Sequence, residues 1–105
     1  MRIIATNTIQ EYWKNYPECE QALKAWIQEA QKATWESPQE LKDQFKSASI
    51  ITGKRVVFNI NGNRYRLLVD IEFRLQIIFI VWFGDHQEYD QVDTKKVAYV
   101  KTNKK

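Results

Sequence analysis

Arg55-Val56-Val57-Phe58-Asn59-Ile60-Asn61-Gly62-Asn63-Arg64-Tyr65-Arg66-Leu67 alternates apolar and polar residues on both sides of an Asn-Gly dipeptide. Alternation of period two is the signature of a half-buried strand, and Asn-Gly suits a tight turn whose central residues both take positive φ. The stretch therefore predicts a β-hairpin. With Asn61 and Gly62 as a two-residue loop, Ile60 pairs with Asn63, Phe58 with Tyr65 and Val56 with Leu67 on one face. Asn59, Arg64 and Arg66 fall on the other face. A second turn near residues 73–76 sends the apolar run at 77–83 back alongside the second strand. The end of that run, and the polar cluster His86, Glu88, Tyr89 and Asp90 just beyond it, should then lie beside Arg64 and Arg66.

Upstream, Arg2-Ile3-Ile4-Ala5 is a short candidate strand at a sheet edge. Thr6 or Thr8 is placed to cap a helix presenting Ile9, Tyr12, Trp13 and Tyr16 at i, i+3, i+4 and i+7. Pro17 breaks that helix or opens the next. Ala22, Leu23, Trp26, Ile27 and Ala30 form a second apolar stripe, with Lys24, Gln28, Glu29 and Lys32 outward. Ser37-Pro38-Gln39-Glu40 has capping-box spacing with proline at the first helical position, so a short third helix presents Leu41 and Phe45. Residues 46–54 read as a polar connector. Strand three, apolar at nearly every position, implies cover on both faces. Residues 97–100 read as a last candidate strand, before a fraying basic tail at 101–105.

The expected fold is α+β, a single domain over residues 1–105 with the N-terminal helices packed on one face of a small antiparallel sheet. The face away from the helices holds the arginines. With 105 residues, 44% of them hydrophobic and 13% aromatic, the chain can bury a core and is not a disordered segment. Its longest apolar run is too short to cross a bilayer, and no charged-then-apolar leader is read at its start, so a cytoplasmic protein without a membrane partner is expected. One cysteine, Cys19, and one histidine leave no cluster for an obligatory zinc or iron site, and no cofactor is implied. The net charge of +3 is unevenly distributed. Residues 1–53 carry six Lys/Arg against seven Asp/Glu, while residues 54–105 carry ten against six. The hairpin half is the basic one, which favours a polyanion or an acidic protein as partner.

Arg64 and Arg66 on one strand face would set two guanidinium forks about 7 Å apart, suited to a phosphodiester. The plainer alternative is a solvated face paired with Asp70, Glu72 or Glu88. His86, in an exposed segment after a glycine, can move a proton near neutral pH, with Asp90 to orient it. Otherwise it is simply a surface histidine. Tyr89 can donate a hydroxyl or stack a base, or anchor the turn. Trp13, Trp26 and Trp35 read as packing, Trp82 as a possible edge of the site, and Cys19 as inert. These groups suffice for cutting RNA without a metal. A base takes the 2′-OH proton, a cation stabilises the phosphorane, and an acid protonates the leaving 5′-oxygen. DNA, lacking the 2′-OH, is not a substrate for that route.

The stretch from Val57 to Leu67, followed later by Gly84-Asp85-His86-Gln87-Glu88-Tyr89-Asp90, resembles the HigB toxins of bacterial type II toxin-antitoxin modules, within the RelE-like superfamily. The helical opening, the Ser37-Pro38-Gln39-Glu40-Leu41 segment and the length agree. The resemblance implies an mRNA interferase that cuts the message in the ribosomal A site. It also implies a HigA-like helix-turn-helix antitoxin that neutralises the toxin and through which the operator DNA is bound. Arg66 then corresponds to the phosphate-stabilising arginine. His86 or Asp90 corresponds to the base, and Tyr89 to the acid or a base-stacking group. Arg64, Lys54, Arg55, Lys95 and Lys96 are the basic residues expected to hold RNA. Where such toxins place a threonine before the histidine this chain has Asp85, whose negative charge is expected to weaken RNA binding. The competing readings are an inert RNA- or protein-binding module of the same fold, and a structural partner that docks another chain on a sheet edge.

Overall fold

The computed structural model describes residues 1–97. The expected strand at 97–100 and tail at 101–105 therefore fall outside the described residues, except Val97, which closes a turn by donating from its backbone N–H to the Asp93 carbonyl. The elements in chain order are β1 (Arg2–Ile4), α1 (Thr6–Asn15), a 3₁₀ turn (Pro17–Cys19), α2 (Glu20–Lys32), α3 (Pro38–Gln44), β2 (Ser49–Ile50), β3 (Arg55–Ile60), β4 (Tyr65–Glu72), β5 (Ile77–Asp85) and α4 (His86–Tyr89). The five strands form one sheet in the order β1-β5-β4-β3-β2. Among the described residues no helix is long and apolar enough to cross a membrane.

Helices on one face of a sheet is the architecture the sequence predicts, with one difference in strand direction. β2 to β5 are antiparallel, whereas β1 runs parallel to β5, with Ile3 opposite Ile78. The helical layer lies in the chain between the two, the long crossover that a parallel pair requires. The helices follow their stripes: Ile9, Leu23, Trp26, Ala30 and Leu41 are buried against the core-facing residues Phe58, Leu67, Val69, Ile71 and Ile78. Phe58 is the hub of this layer, its ring centroid lying 5.0 Å from that of Phe45 and 5.3 Å from that of Trp26. Ser37 accepts the Glu40 N–H as the N-cap of α3, but α1 is capped by Ala5 without a side-chain bond, so neither Thr6 nor Thr8 has the expected role.

The hairpin register differs from the simplest expectation. Ile60 pairs with Tyr65, Phe58 with Leu67 and Val56 with Val69, a shift of two residues that leaves the side chains of β3 and of β4 from Tyr65 onward on their predicted faces. Asn61 and Gly62 do take positive φ, 55° and 70°. Asn63 and Arg64 join them in a four-residue loop, because the Asn63 side chain accepts from Asn59 Nδ2 at 3.1 Å and its carbonyl from Arg66 Nη1 at 2.7 Å. Asn63 is therefore held by side chains instead of the ladder.

β5 carries a bulge. Leu68 pairs with Trp82 and Val69 with Ile80, so Val81 is an extra residue between them. Ile78, Ile80 and Phe83 face the helices, while Val81 joins Val57 and Leu68 in a second small cluster, flanked by Ile51, Trp82, Tyr89 and Val97. Val97 and Tyr89 pack on this outer face, which is why β5 is apolar on both sides.

Candidate functional site

The site is built where β5 runs out beside the start of β4. Tyr65 lies opposite Asp85 and Arg66 opposite Gly84. The His86 N–H donates to the Arg64 carbonyl at 3.0 Å, adding one rung before the chain turns into α4. Asp85 caps that helix by accepting the Glu88 N–H at 2.7 Å, and Glu88 Oε1 accepts the Asp85 N–H in return at 2.9 Å. Threonine and aspartate are both good N-caps. The aspartate before the histidine thus has a structural role, its carboxylate directed at the helix backbone. Gly84 leaves room beside it: a Cβ there would come within 2.6 Å of the Trp82 ring and 2.8 Å of Glu88 Oε1, so one of them would have to shift.

Four residues make barely one helical turn, and the turn gathers the candidate groups. His86, Tyr89 and Asp90 stand at i, i+3 and i+4, and Asp90 keeps helical backbone angles while donating its N–H to the His86 carbonyl. Side chains at that spacing share one side of a helix, with Cβ atoms about 5–6 Å apart. His86 and Asp90 are exposed and Tyr89 is half-buried. The guanidinium carbon of Arg66 lies 5.9 Å from the centre of the Tyr89 ring, and that ring lies 6.2 Å from the ring of Trp82. Arg66 is braced by donating Nη1 to the carbonyls of Asn63 and Tyr65, and its Nε and Nη2 have no acceptor among the described residues. Burial pushes the Tyr89 phenol up and Asp90 adds to this, against the opposing charge of Arg66. Tyr89 is therefore a protonated donor at neutral pH.

Arg64 is not where the strand reading put it. As the last residue of the four-residue loop, it lines a cleft of about 220 Å³ with Tyr65, Asp85, His86 and Gln87. Its charge acts on Glu18, on the helical side of the sheet. The Glu18 carboxylate accepts the Tyr65 hydroxyl, which holds Glu18 below the usual carboxylate range and pushes Tyr65 up to about 12. The two arginines thus flank α4 from different sides, Arg66 against Tyr89 and Arg64 against His86.

Arg55 requires a correction. Its side chain is only 10% exposed and grips Asp70 through two bonds, Nε to Oδ1 at 2.6 Å and Nη2 to Oδ2 at 2.7 Å. Nη1 donates to the Thr94 and Val97 carbonyls. A guanidinium so engaged clamps residues 94–97 to the sheet and is turned to protein groups instead of outward. Lys54 is exposed with a loose pairing to Glu72 at 3.7 Å, and Lys95 and Lys96 are exposed in the turn after Asp93. Cys19 is fully buried, its thiol pushed up to about 11 by burial and by Glu18, so it remains protonated at neutral pH.

Sequence reasoning missed Tyr16. Its hydroxyl donates to Glu88 Oε1 at 2.8 Å across 72 residues of chain, and the bond pushes the phenol up to about 12. Tyr16 reads as one more apolar position of a helical stripe, so only the fold reveals the contact. Among the described residues no group of three or more His, Cys, Asp or Glu is arranged to hold a metal ion.

Residues 19–92 match HigB_toxin, described as the RelE-like toxic component of a toxin-antitoxin system. Curated relatives include the mRNA interferase toxin HigB of Escherichia coli (strain K12), 28% identical over 92 residues that make up 86% of this chain and 88% of that protein. The mRNA interferase HigB proteins of Escherichia coli O157:H7 and Shigella flexneri are similar to the same extent.

Proposed function

Since the chain belongs to the HigB family of RelE-like toxins, we propose that residues 1–105 form one toxin unit that cuts messenger RNA on the ribosome, in the A site, without a metal ion. The relatives' names supply the substrate class, and one geometric observation carries the rest. Arg66 sits over Tyr89, and Tyr89 shares one side of α4 with His86 and Asp90.

A phosphodiester placed against the open Nε and Nη2 edge of Arg66 receives planar, charge-assisted bonds that strengthen as the phosphorane gains charge. His86 or Asp90 takes the proton of the adjacent 2′-OH. The 2′-oxygen then bonds to phosphorus while the bond to the 5′-oxygen breaks. Tyr89, protonated at neutral pH, gives its proton to the leaving oxygen or stacks the neighbouring base. The products are a 2′,3′-cyclic phosphate and a free 5′-OH. Arg64, Lys54, Lys95 and Lys96 hold the flanking backbone. A HigA-like helix-turn-helix antitoxin covers the site until it is removed, and the toxin acts in the cytoplasm.

The test is to add the purified protein to translating ribosomes and map the ends of the message, with naked mRNA in parallel. New ends within codons, only when ribosomes are present, are expected. Arg66→Ala should reduce cleavage by about 10²–10³-fold, the usual loss on removing a transition-state donor. His86→Gln should also reduce it. Full cleavage by both folded variants would overturn the assignment, and ribosome binding without cleavage by the parent protein would favour an inert module.

A further inference from the structure

We propose that Tyr16 is a positioning residue for the cleavage site, pinning α4 to the helical layer through Glu88. The inference rests on the reading of α4 as the site of RNA cleavage.

A four-residue helix is far too short to persist by itself, so tethers set the direction in which its side chains point. The His86 to Arg64 rung holds its first residue, and the reciprocal bonds between Asp85 and Glu88 hold its first turn. The first ties α4 to the loop before β4, the second stays within the turn, and the Tyr89 ring rests on the outer-face cluster. A further tether runs to the helical layer: Glu88 Oε1, already accepting the Asp85 N–H, also accepts the Tyr16 hydroxyl. Glu88 lies between His86 and Tyr89 in the chain, so fixing its carboxylate fixes the rotation of the turn that carries both.

Tyr16 is well held for that purpose. It ends α1, where its N–H donates to the Tyr12 carbonyl and its own carbonyl accepts from Cys19. Its ring meets Tyr65 and Phe83 edge-on, with centroids 5.3 Å and 5.6 Å apart. From this aromatic packing the hydroxyl reaches Glu88. The phenol thus transmits the position of the core to the cleavage turn, and misplacing reacting groups by about 1 Å can cost as much as 10²-fold in rate.

Tyr16→Phe removes the hydroxyl and leaves the ring. The expected result is a single-turnover cleavage rate on ribosomes lowered about tenfold, with affinity for the ribosome unchanged and only a small fall in the urea midpoint. Glu88→Gln retains an oxygen acceptor and should cut nearly as the parent does. Glu88→Ala, which also loses the bond from the Asp85 N–H, should be at least as slow as Tyr16→Phe, and the double variant Tyr16→Phe/Glu88→Ala should be no slower than Glu88→Ala. Amide exchange supplies a readout independent of activity: the His86 and Glu88 amides should exchange faster in Tyr16→Phe while the Leu67 and Val69 amides do not. Parent-like cleavage by Tyr16→Phe, or parent-like exchange at His86 and Glu88, would overturn the pin. If the parent protein cuts no message, the proposed activity has failed and the exchange measurement still decides whether Tyr16 holds α4.

Discussion

Replacing Asp70 by alanine should be among the most destabilising single changes to a polar residue in this chain. The carboxylate takes two parallel bonds from Arg55, at 2.6 and 2.7 Å, and Arg55 has only 10% of its side chain in contact with water against 25% for Asp70. Removing one partner of a buried pair costs about 3–5 kcal/mol, because the remaining charge has lost both water and counter-ion. The partial exposure of Asp70 lets water reach the vacated site, which lowers the expectation to roughly 2–3 kcal/mol. For a domain near this size that corresponds to a fall in Tm of about 10–20 °C. Urea unfolding followed by tryptophan fluorescence measures it directly. The decisive comparison is a double-mutant cycle. Arg55→Met alone should also destabilise, since it releases the Thr94 and Val97 carbonyls as well as Asp70. Arg55→Met/Asp70→Leu should recover much of the Asp70→Ala loss, because an apolar pair leaves no orphan charge. Single changes below about 0.5 kcal/mol, or strict additivity, would refute the clamp. Loss of RNA binding by Arg55→Met at full stability would restore Arg55 as an RNA contact.

Gly84→Ala should cost about 1–3 kcal/mol and lower cleavage, since the new methyl displaces Trp82 or Glu88; unfolding and cleavage assays both at parent values would contradict the close approach. Phe58→Ala should lose about 3–5 kcal/mol in urea unfolding, because it empties the space between Trp26, Trp35 and Phe45; a loss under 1 kcal/mol would mean the helices do not meet the sheet there. The phenols of Tyr12, Tyr16 and Tyr65 are pushed from the ordinary value of 10 to about 12. The unfolded chain therefore loses these protons first as the solution becomes alkaline. Their contribution to stability is whole below pH 10 and disappears as the pH rises towards 12, so the urea midpoint should fall over that interval and fall less steeply in Tyr16→Phe. An equal slope in both proteins would show that the Tyr16 hydroxyl is not bonded.

Local signals in the sequence were reliable where one residue decides one backbone state. Ser37 caps α3 and Asn61-Gly62 takes positive φ, because those roles depend on a side-chain oxygen and on a missing or short side chain. The faces of β3 and β4 followed from alternation, and a two-residue error in register could not disturb them. What escaped depends on contacts across the fold. The two-residue strand β2 pairs only because Ser49 and Ile50 reach Val57 and Val56, and its own composition reads as connector. Arg55 looks like any hairpin arginine until Asp70 is seen opposite it in the ladder. Alternation continues through Arg64 and so reads it as strand, while the bonds that Asn63 accepts at its side chain and its carbonyl keep it in the loop. The grouping of His86, Tyr89 and Asp90 was visible as a cluster, but that they occupy one side of a capped turn with Arg66 over the ring was not.

The additional residue at Val81 acts as a phase change in β5. Before it, even-numbered side chains look towards the helices; after it, odd-numbered ones do. Were Val81 instead taken into the ladder as an ordinary rung opposite Leu68, every later residue would turn by half a pleat, sending Trp82 into the aromatic layer and Phe83 out over Tyr89. The side from which the histidine turn leaves the sheet is thus fixed by a miscounting in the ladder a few residues earlier, and a shortened strand without Val81 should keep Trp82 and Phe83 on their present faces while losing the added twist.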